Sequence, residues 1–174
     1  MHYEMNVIAD NLSCKVMMAL SNGPNGFDSS YMAAILPAFG GYFSQEIIDK
    51  YQLEDLNFCT QPEIALDAAE LDRWDSSGRD PHSAPSLWQG TLWRHPAVAA
   101  AAINRVADRV EAEDADFDVF VDAIFWAEDR DTPITDQEMI SLRPVVVGHL
   151  RKFALFCKIL VERGTTKIVA FHYF

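Results

Sequence analysis

The sequence predicts a helix-dominated α+β fold: a single compact domain over residues 1–174, with a small sheet that includes the C-terminal strand. Three observations support this prediction. Apolar residues recur at helical spacing, several of these runs begin or end at capping residues, and the last nine residues are apolar on both faces. A chain of this length buries roughly 70% of the surface that its unfolded form exposes, so folding requires no disulfide or metal.

The N-terminal segment is predicted to be helical. Residues 3–20 have apolar side chains at helical spacing, and the turn sequence SNGPNG follows at 21–26. The spaced apolar residues are Met5, Ile8, Leu12, Val16 and Ala19. Asp28 or Ser29 is then expected to cap a short helix that ends before Pro37.

Two further helices are expected before the middle of the chain. Ser44 is a typical N-cap for a helix over residues 45–51, and Glu46 in its first turn complements the helix dipole. A helix over residues 62–74 begins at Pro62, because proline suits a first turn.

Residues 75–95 are predicted to be an irregular loop that contains Trp, Arg and His. Glycines and prolines interrupt any long element there, so at most a short strand forms at 87–93. Trp and Arg are enriched at binding hot spots, which makes Trp88, Trp93 and Arg94 secondary interface candidates. The alternative is that the Trp side chains fold back and attach the loop to the core.

The second half of the chain contains the clearest helical signals. A helix is predicted from Pro96 to about Glu113, with one apolar face. That face consists of Val98, Ala102, Val106 and Val110, with Ile103 beside it. Residues 116–127 are ambiguous: their spacing favours a helix with Asp118 and Asp122 outward, whereas their Val, Phe and Ile content favours a strand. The helix is the preferred interpretation.

A long helix is predicted near the C-terminus. Thr135 and Glu138 match a capping box at its start, and Gly164 marks its end. Pro144 is expected to kink this helix or to mark a restart. Basic residues lie toward its C-terminal end, where they complement the dipole.

The residues after this helix, 166–174, are predicted to form a strand that is covered on both faces. A strand at the end of a mainly helical chain needs a partner strand for its backbone hydrogen bonds. The segments at 87–93 and 117–126 are the expected partners.

The charge of the chain is negative and unevenly distributed. Lys plus Arg number 14 and Asp plus Glu number 26, for a formal net charge of −12. Residues 108–138 hold twelve acids and two bases, whereas residues 139–174 hold one acid and six bases. Such a chain repels phosphate backbones and anionic membranes, so direct binding to nucleic acid or to a membrane is disfavoured. It attracts a basic protein partner.

The cysteines and the N-terminus favour a reducing, cytoplasmic setting. Cys14, Cys59 and Cys157 are an odd number at long spacings, with no C-x-x-C pattern, and the first residues lack the features of a secretory signal. The apolar runs, such as residues 97–103, are too short to span a bilayer.

Motifs for catalysis or metal binding are absent from the sequence. Asp114, Asp116 and Asp118 imitate the first positions of an EF-hand loop. Val119 stands where that loop requires Gly, however, and Phe125 where it requires the bidentate Glu. The five histidines lack zinc spacing, and no serine-hydrolase elbow, dinucleotide fingerprint or P-loop occurs. No catalytic residue, cofactor or metal ligand is therefore assigned.

The acidic segment leads to the principal hypothesis, a non-catalytic binding protein that inhibits or masks a basic partner, including one that binds nucleic acid. Carboxylates along a helix imitate phosphates, and steering between opposite charges makes such binding fast and salt-sensitive. The expected contact residues are Asp114, Asp116, Asp118, Asp122, Glu128, Asp129 and Asp131. In size, acidity and lack of a catalytic motif, the chain resembles small inhibitors of phages and mobile elements, such as anti-CRISPR proteins and DNA mimics. It is also similar in type to the immunity proteins that neutralise toxins.

Two alternatives stay open. One is a small enzyme or ligand-binding domain whose site combines the 73–95 segment, including His82 and His95, with Asp118 or Asp122. The other is a subunit of a larger assembly, including a homo-oligomer, in which the basic C-terminal helix contacts an acidic face.

Overall fold

In the computed structural model, a three-stranded sheet packs against α-helices in a single compact fold. The structure describes residues 4–41, 43–61, 65–89, 93–127 and 132–173, and only the backbone at 37–41, 88–89, 123–127 and 173. The strands are β1 (Glu4–Ala9), β2 (Cys59–Thr60) and β3 (Ile168–Tyr173). The helices are α1 (Cys14–Ser21), α2 (Ser29–Gly41), α3 (Gln45–Tyr51), α4 (Ala68–Ser76), α5 (Pro96–Glu111), α6 (Asp118–Ala127) and α7 (Asp136–Glu162). The predicted helix-dominated α+β class is confirmed.

The C-terminal strand β3 lies at the centre of the sheet, whose order is β1-β3-β2. β1 pairs with it antiparallel, with Ala9 opposite Ile168, and β2 pairs with it parallel, with Cys59 opposite Ala170. The predicted strand is therefore confirmed, but its observed partners are β1 and β2. The expected partner at 117–126 is wrong, and the described part of 87–93 is not a strand, while residues 90–92 lie outside the described residues. Residues 85–89 form a 3-10 helix and residues 118–127 form α6. Among its described residues, the 73–95 segment forms one isolated backbone bridge to the sheet, between Arg94 and Ile168.

The helix predicted over residues 3–20 is wrong at its beginning, where β1 forms instead. Residues 5, 7 and 9 of β1 face the main core and alternate with Glu4, Asn6 and Ile8, which is the period of a strand. The apparent helical spacing combined positions from two separate elements. Ser13 is the last residue of the loop between β1 and α1. It caps α1, since its side chain accepts a hydrogen bond from the amide of Val16.

The sheet separates two apolar clusters. The main core lies between the sheet and the helices α2, α5, α6 and α7, and it includes Phe27, Phe58, Phe153 and Phe156. The smaller cluster covers the opposite face and is centred on Trp74, which is 0% exposed and lies 5.3 Å from the ring of Phe171. β3 contributes side chains to both clusters, which confirms that it is covered on both faces.

The local helix signals are confirmed at several places. The Ser44 side chain caps α3, and the capping box of Thr135 and Glu138 is present at the start of α7. Gly164, with φ of 82°, follows the end of α7. α5 ends two residues before the predicted boundary at Glu113 and buries most of its predicted face. Val98 is the exception, because it is 41% exposed.

Proline positions and one boundary differ from the prediction. α2 continues past Pro37, because the preceding turn is held in the core by Ile35 and Leu36, which are 0% and 1% exposed. α7 is one helix through Pro144, without a restart. Of the helix expected at 62–74, residues 68–74 belong to α4, which is capped by Asp67 and continues to Ser76. Residues 66 and 67 are not helical, and residues 62–64 lie outside the described part of the chain.

Candidate functional site: an acidic cleft beside α7

Three of the predicted acidic residues, Asp114, Asp116 and Asp118, lie where the chain passes from α5 to α6. Asp114 caps the 3-10 helix Ala115–Phe117 by accepting a hydrogen bond from the amide of Asp116. Phe117 is 0% exposed and lies 4.8 Å from the ring of Tyr51, so the turn is anchored in the core. The carboxylates on this turn are consequently held in defined positions.

Two of these carboxylates are engaged by α3. The Tyr51 hydroxyl lies 2.9 Å from Asp114 Oδ2 and 2.9 Å from Asp116 Oδ2. Its single proton is therefore shared as a hydrogen-bond donor between the two carboxylates. Lys50 Nζ lies 3.3 Å from the Asp116 carboxylate. The hydrogen bond from Tyr51 is the main cause that lowers the pKa of Asp114, with the amide of Asp116 as a further donor.

Replacing Tyr51 by Phe is expected to raise the pKa of Asp114 toward the ordinary value of 3.8. A carboxyl whose pKa is lowered by folding contributes stability above its unfolded pKa, and this contribution disappears as the pH falls through the folded pKa. Tyr51→Phe should therefore lose part of the stability gained as the pH rises through that acidic range. A ¹³C NMR titration of the Asp114 side-chain carboxyl measures the change in its pKa. Asp72 on α4 is the internal control, and a curve for Asp114 that is unchanged in Tyr51→Phe would contradict the assignment.

Other predicted or neighbouring acids are paired with the basic residues of α7. Arg143 Nη2 lies 2.8 Å from Asp118 Oδ1, and the Arg143 side chain is only 15% exposed. No described residue makes a well-aligned hydrogen bond to Asp118 Oδ1 or from Arg143 Nη1. The contact between Arg143 Nη2 and Asp118 Oδ1 is therefore an ion pair. Arg151 Nη2 lies 2.5 Å from Asp108 and 3.4 Å from Glu111. These pairs reduce the negative field that the sequence predicted for this region.

A cleft of about 250 Å³ opens between this turn and the N-terminal end of α7. Its acidic lining residues are Glu113, Asp118 and Asp136. Its other lining residues are Ile134, Thr135, Met139, Ile140 and Arg143. Glu113 and Asp136 are exposed, and neither forms an ion pair with any part of the chain that the structure describes. Ile140 is 59% exposed at the same cleft.

Among the residues that the structure describes, the cleft overlaps the predicted contact set at Asp118. Asp114 and Asp116 lie nearby on the same turn, and Asp122 is half-buried on α6 outside the cleft lining. Glu128, Asp129 and Asp131 lie outside the described residues. Glu113 and Asp136 do not stand out in the sequence, because the local density of acids does not show whether a base from another element pairs with them.

The secondary candidates Trp93 and Arg94 are held against the fold. The Trp93 indole N–H donates to the carbonyl of Leu87, and Lys167 Nζ lies 5.2 Å from the centre of its ring. Arg94 Nε lies 3.8 Å from Asp55. The geometry matches the alternative in which the Trp side chains attach this loop to the core. The side chain of Trp88 lies outside the described part of the structure.

The histidines of the 73–95 segment are not brought together with Asp118 or Asp122. His82 is exposed, and His95 caps α5, since its Nδ1 accepts from the amide of Ala97. Within the described ranges, no group of three or more His, Cys, Asp or Glu side chains is arranged to hold a metal ion.

A contact that the sequence did not reveal joins β2 to β3. Cys59 Sγ lies 3.6 Å from His172 Nδ1, and Gln61 Nε2 lies 3.3 Å from His172 Nε2. Burial raises the pKa of the Cys59 thiol to about 12. The thiol is therefore protonated at neutral pH and poorly suited to act as a nucleophile. These residues are more than a hundred positions apart, so no local pattern predicts their contact.

Among the described helices, none combines the length and the apolar character needed to cross a bilayer.

Comparison of the chain with protein-family models, with curated proteins and with solved structures finds no match.

Proposed function

We propose that this chain is a non-catalytic binding protein whose acidic cleft accepts a basic segment of a partner protein. The observation that carries the proposal is the cleft itself, where the carboxylates of Glu113 and Asp136 lie beside exposed Ile140. A Lys or Arg side chain has a cationic head and an apolar stem. The two carboxylates suit the head, and the exposed Ile140 side chain suits the stem. Binding of this kind masks the partner's basic surface, including one that otherwise holds phosphates.

The ion pairs of the fold narrow the proposal to this cleft. A mimic of nucleic acid needs a row of carboxylates that the Lys and Arg side chains of a partner can reach. Asp116 and Asp118, however, are already ion-paired with Lys50 and Arg143 of this chain. The net charge of −12 still steers basic partners toward the chain at a distance. Contact specificity then depends on Glu113 and Asp136, the acids of the cleft for which no described residue supplies an ion pair. The odd number of cysteines at long spacings, Cys14, Cys59 and Cys157, supports a reducing compartment as part of this proposal.

The proposal is tested with three synthetic peptides of equal length. One combines Lys with Leu, one replaces Leu by Ser, and one replaces Lys by Glu. We expect the Lys/Leu peptide to bind most tightly, the Lys/Ser peptide to bind more weakly, and the Glu/Leu peptide not to bind. Affinity should also fall as salt is added, because exposed charges are screened. No binding of the Lys/Leu peptide, or equal binding of all three, would contradict the proposal.

A double neutralisation locates the site. Glu113→Gln with Asp136→Asn is expected to weaken Lys/Leu binding about tenfold, since each charge at an interface rim contributes modestly. The matched control is Asp72→Asn with Glu162→Gln, which removes the same charge from exposed positions elsewhere. Isothermal titration calorimetry measures the affinity of both variants for the Lys/Leu peptide. An equal loss of affinity in the two variants would mean that net charge alone, and not the cleft, attracts the peptide.

A further inference from the structure

The outward side of α7 carries an exposed apolar stripe, which consists of Ile140, Pro144, Gly148 and Leu155. Ile140 and Leu155 are 59% and 49% exposed, and Pro144 and Gly148 are exposed as well. At 3.6 residues per turn, these positions share one side of the helix, opposite the buried Phe153. In the part of the chain that the structure describes, no element covers this stripe.

Gly148, in the middle of the stripe, is a glycine that the described part of the fold does not require. A side-chain carbon added there would meet no described atom within 4 Å, and the residue lies inside a regular helix. Glycine inside a helix is destabilising relative to alanine, because it loses more conformational freedom on folding. It does allow another backbone to approach closely. A partner helix packed against the stripe would account for its position.

Exposed charges of opposite sign lie near the two ends of the stripe. Asp136 is in the first turn of α7 and Lys158 is near its end, and neither forms an ion pair with a described residue. The two positions are about 40° apart around the helix axis, so they flank the stripe on the same side. The stripe therefore has an acidic end and a basic end.

These residues are arranged almost symmetrically about Gly148. Asp136 precedes it by twelve positions and Lys158 follows it by ten, while Ile140 precedes it by eight and Leu155 follows it by seven. A two-fold axis near Gly148 would lay a second α7 antiparallel across the stripe, with Lys158 of each copy beside Asp136 of the other. The same rotation brings Leu155 to Ile140. A surface that complements itself in this way is what a two-fold dimer requires.

We propose that the stripe binds a second copy of this chain in an antiparallel dimer centred on Gly148. Contacts between Ile140 and Leu155 and two ion pairs between Asp136 and Lys158 hold the copies together. The dimer goes beyond the proposed function and does not rest on it. Because Asp136 and Ile140 also line the acidic cleft, a second copy and a basic peptide exclude each other there.

Sedimentation velocity over a concentration series of the full chain tests the dimer. Each copy carries a net charge of −12, so the series is run at about 0.15 M salt, where the Debye length of about 8 Å screens their long-range repulsion. We expect the sedimentation coefficient to rise from the monomer value to the dimer value between micromolar and submillimolar concentration. A chain that stays monomeric throughout would overturn the proposal.

Leu155→Glu locates the contact. Association should weaken about tenfold or more, because the new carboxylate would lose hydration at the interface without a partner. The matched control is Met18→Glu, because Met18 is 54% exposed on α1, outside the stripe. Equal association of the two variants would rule out the stripe as the contact. Leu155 does not line the cleft, so Leu155→Glu should still bind the Lys/Leu peptide, and the dimer and the proposed function can fail separately.

An exchange of charges tests the pairing. Asp136→Lys and Lys158→Glu should each weaken association about fivefold or more, since each places like charges together. The two substitutions combined should restore most of the affinity, because the ion pairs form again with their charges exchanged. Lys15→Glu, at an exposed position of α1, is the matched control for the change in net charge. A double variant that associates no better than either single variant would disprove the two-fold arrangement.

Gly148→Leu separates folding from association. Leucine is the better helix former and meets open space in the monomer, so the thermal midpoint of the monomer should rise. The same side chain would hold two helices apart at their closest approach, so association should be lost. A Gly148→Leu chain that dimerises like the unmodified chain would show that the helices do not cross at this glycine.

Discussion

Replacing Phe153 by alanine is expected to lower the free energy of unfolding by about 3–5 kcal/mol, the usual cost of truncating a buried aromatic residue. Phe153 is 0% exposed. Its ring lies 4.9 Å from the ring of Phe27 in an edge-to-face arrangement and 6.3 Å from the ring of Phe58. The Phe58 carbonyl in turn accepts a hydrogen bond from the amide of Ala170 in β3. Phe153 therefore connects α7 to the segment that delivers β2 to the sheet.

The measurement is urea denaturation followed by circular dichroism, at constant m-value. Leu155→Ala is the matched control on the same helix, because Leu155 is 49% exposed. It should cost less than about 1 kcal/mol. Phe153→Leu keeps most of the volume but loses the ring contacts, and we expect it to cost about 1–2 kcal/mol. This variant remains measurable if Phe153→Ala does not fold, and equal costs at residues 153 and 155 would contradict the packing described.

Reversing the charge of the acidic cleft is expected to have the largest effect on binding. In Glu113→Lys with Asp136→Lys, two lysines would face the cationic segment that the cleft is proposed to hold. Because like charges placed together at an interface cost several kcal/mol, affinity for the Lys/Leu peptide should fall at least a hundredfold. Asp136 lies in the first turn of α7, so its replacement by Lys also costs about 0.3–1 kcal/mol of stability.

An exchange of charge separates lost recognition from lost folding. The reversed variant should bind the Glu/Leu peptide, which the unmodified chain repels. The matched control, Asp72→Lys with Glu162→Lys, carries the same net charge at exposed positions elsewhere and should keep most of its affinity for the Lys/Leu peptide. A reversed variant that folds, keeps its affinity for the Lys/Leu peptide and ignores the Glu/Leu peptide would contradict the proposed function.

Short-range signals made much of the helical part of the fold predictable. The Ser44 cap and the capping box of Thr135 and Glu138 join residues three positions apart, and all are visible in a sequence window of one turn. β1 was missed because its apolar residues also fit a helical period when they are read together with those of α1. Its identity as a strand depends on hydrogen bonds to β3, more than 150 positions away.

The candidate site was less predictable than the fold. The density of acids in residues 108–138 drew attention to the region that includes the proposed cleft, but it did not indicate which carboxylates are engaged. Lys50 reaches Asp116 across 66 positions, and Tyr51 reaches Asp114 across 63. The meeting of β1 with the 73–95 segment, where Asn6 and Arg79 line one cavity, also escaped prediction, because no local pattern indicates that these segments lie together.

By itself, the sequence determined the helix-dominated α+β class, the caps of α3 and α7 and the strongly negative charge, since each depends on composition or on neighbours within a few residues. The tertiary structure alone decided which strands pair, which acids are neutralised and which remain available at the cleft. The physical reason is that pairing energies depend on distances of a few ångströms between atoms whose separation along the chain carries no information about their separation in space.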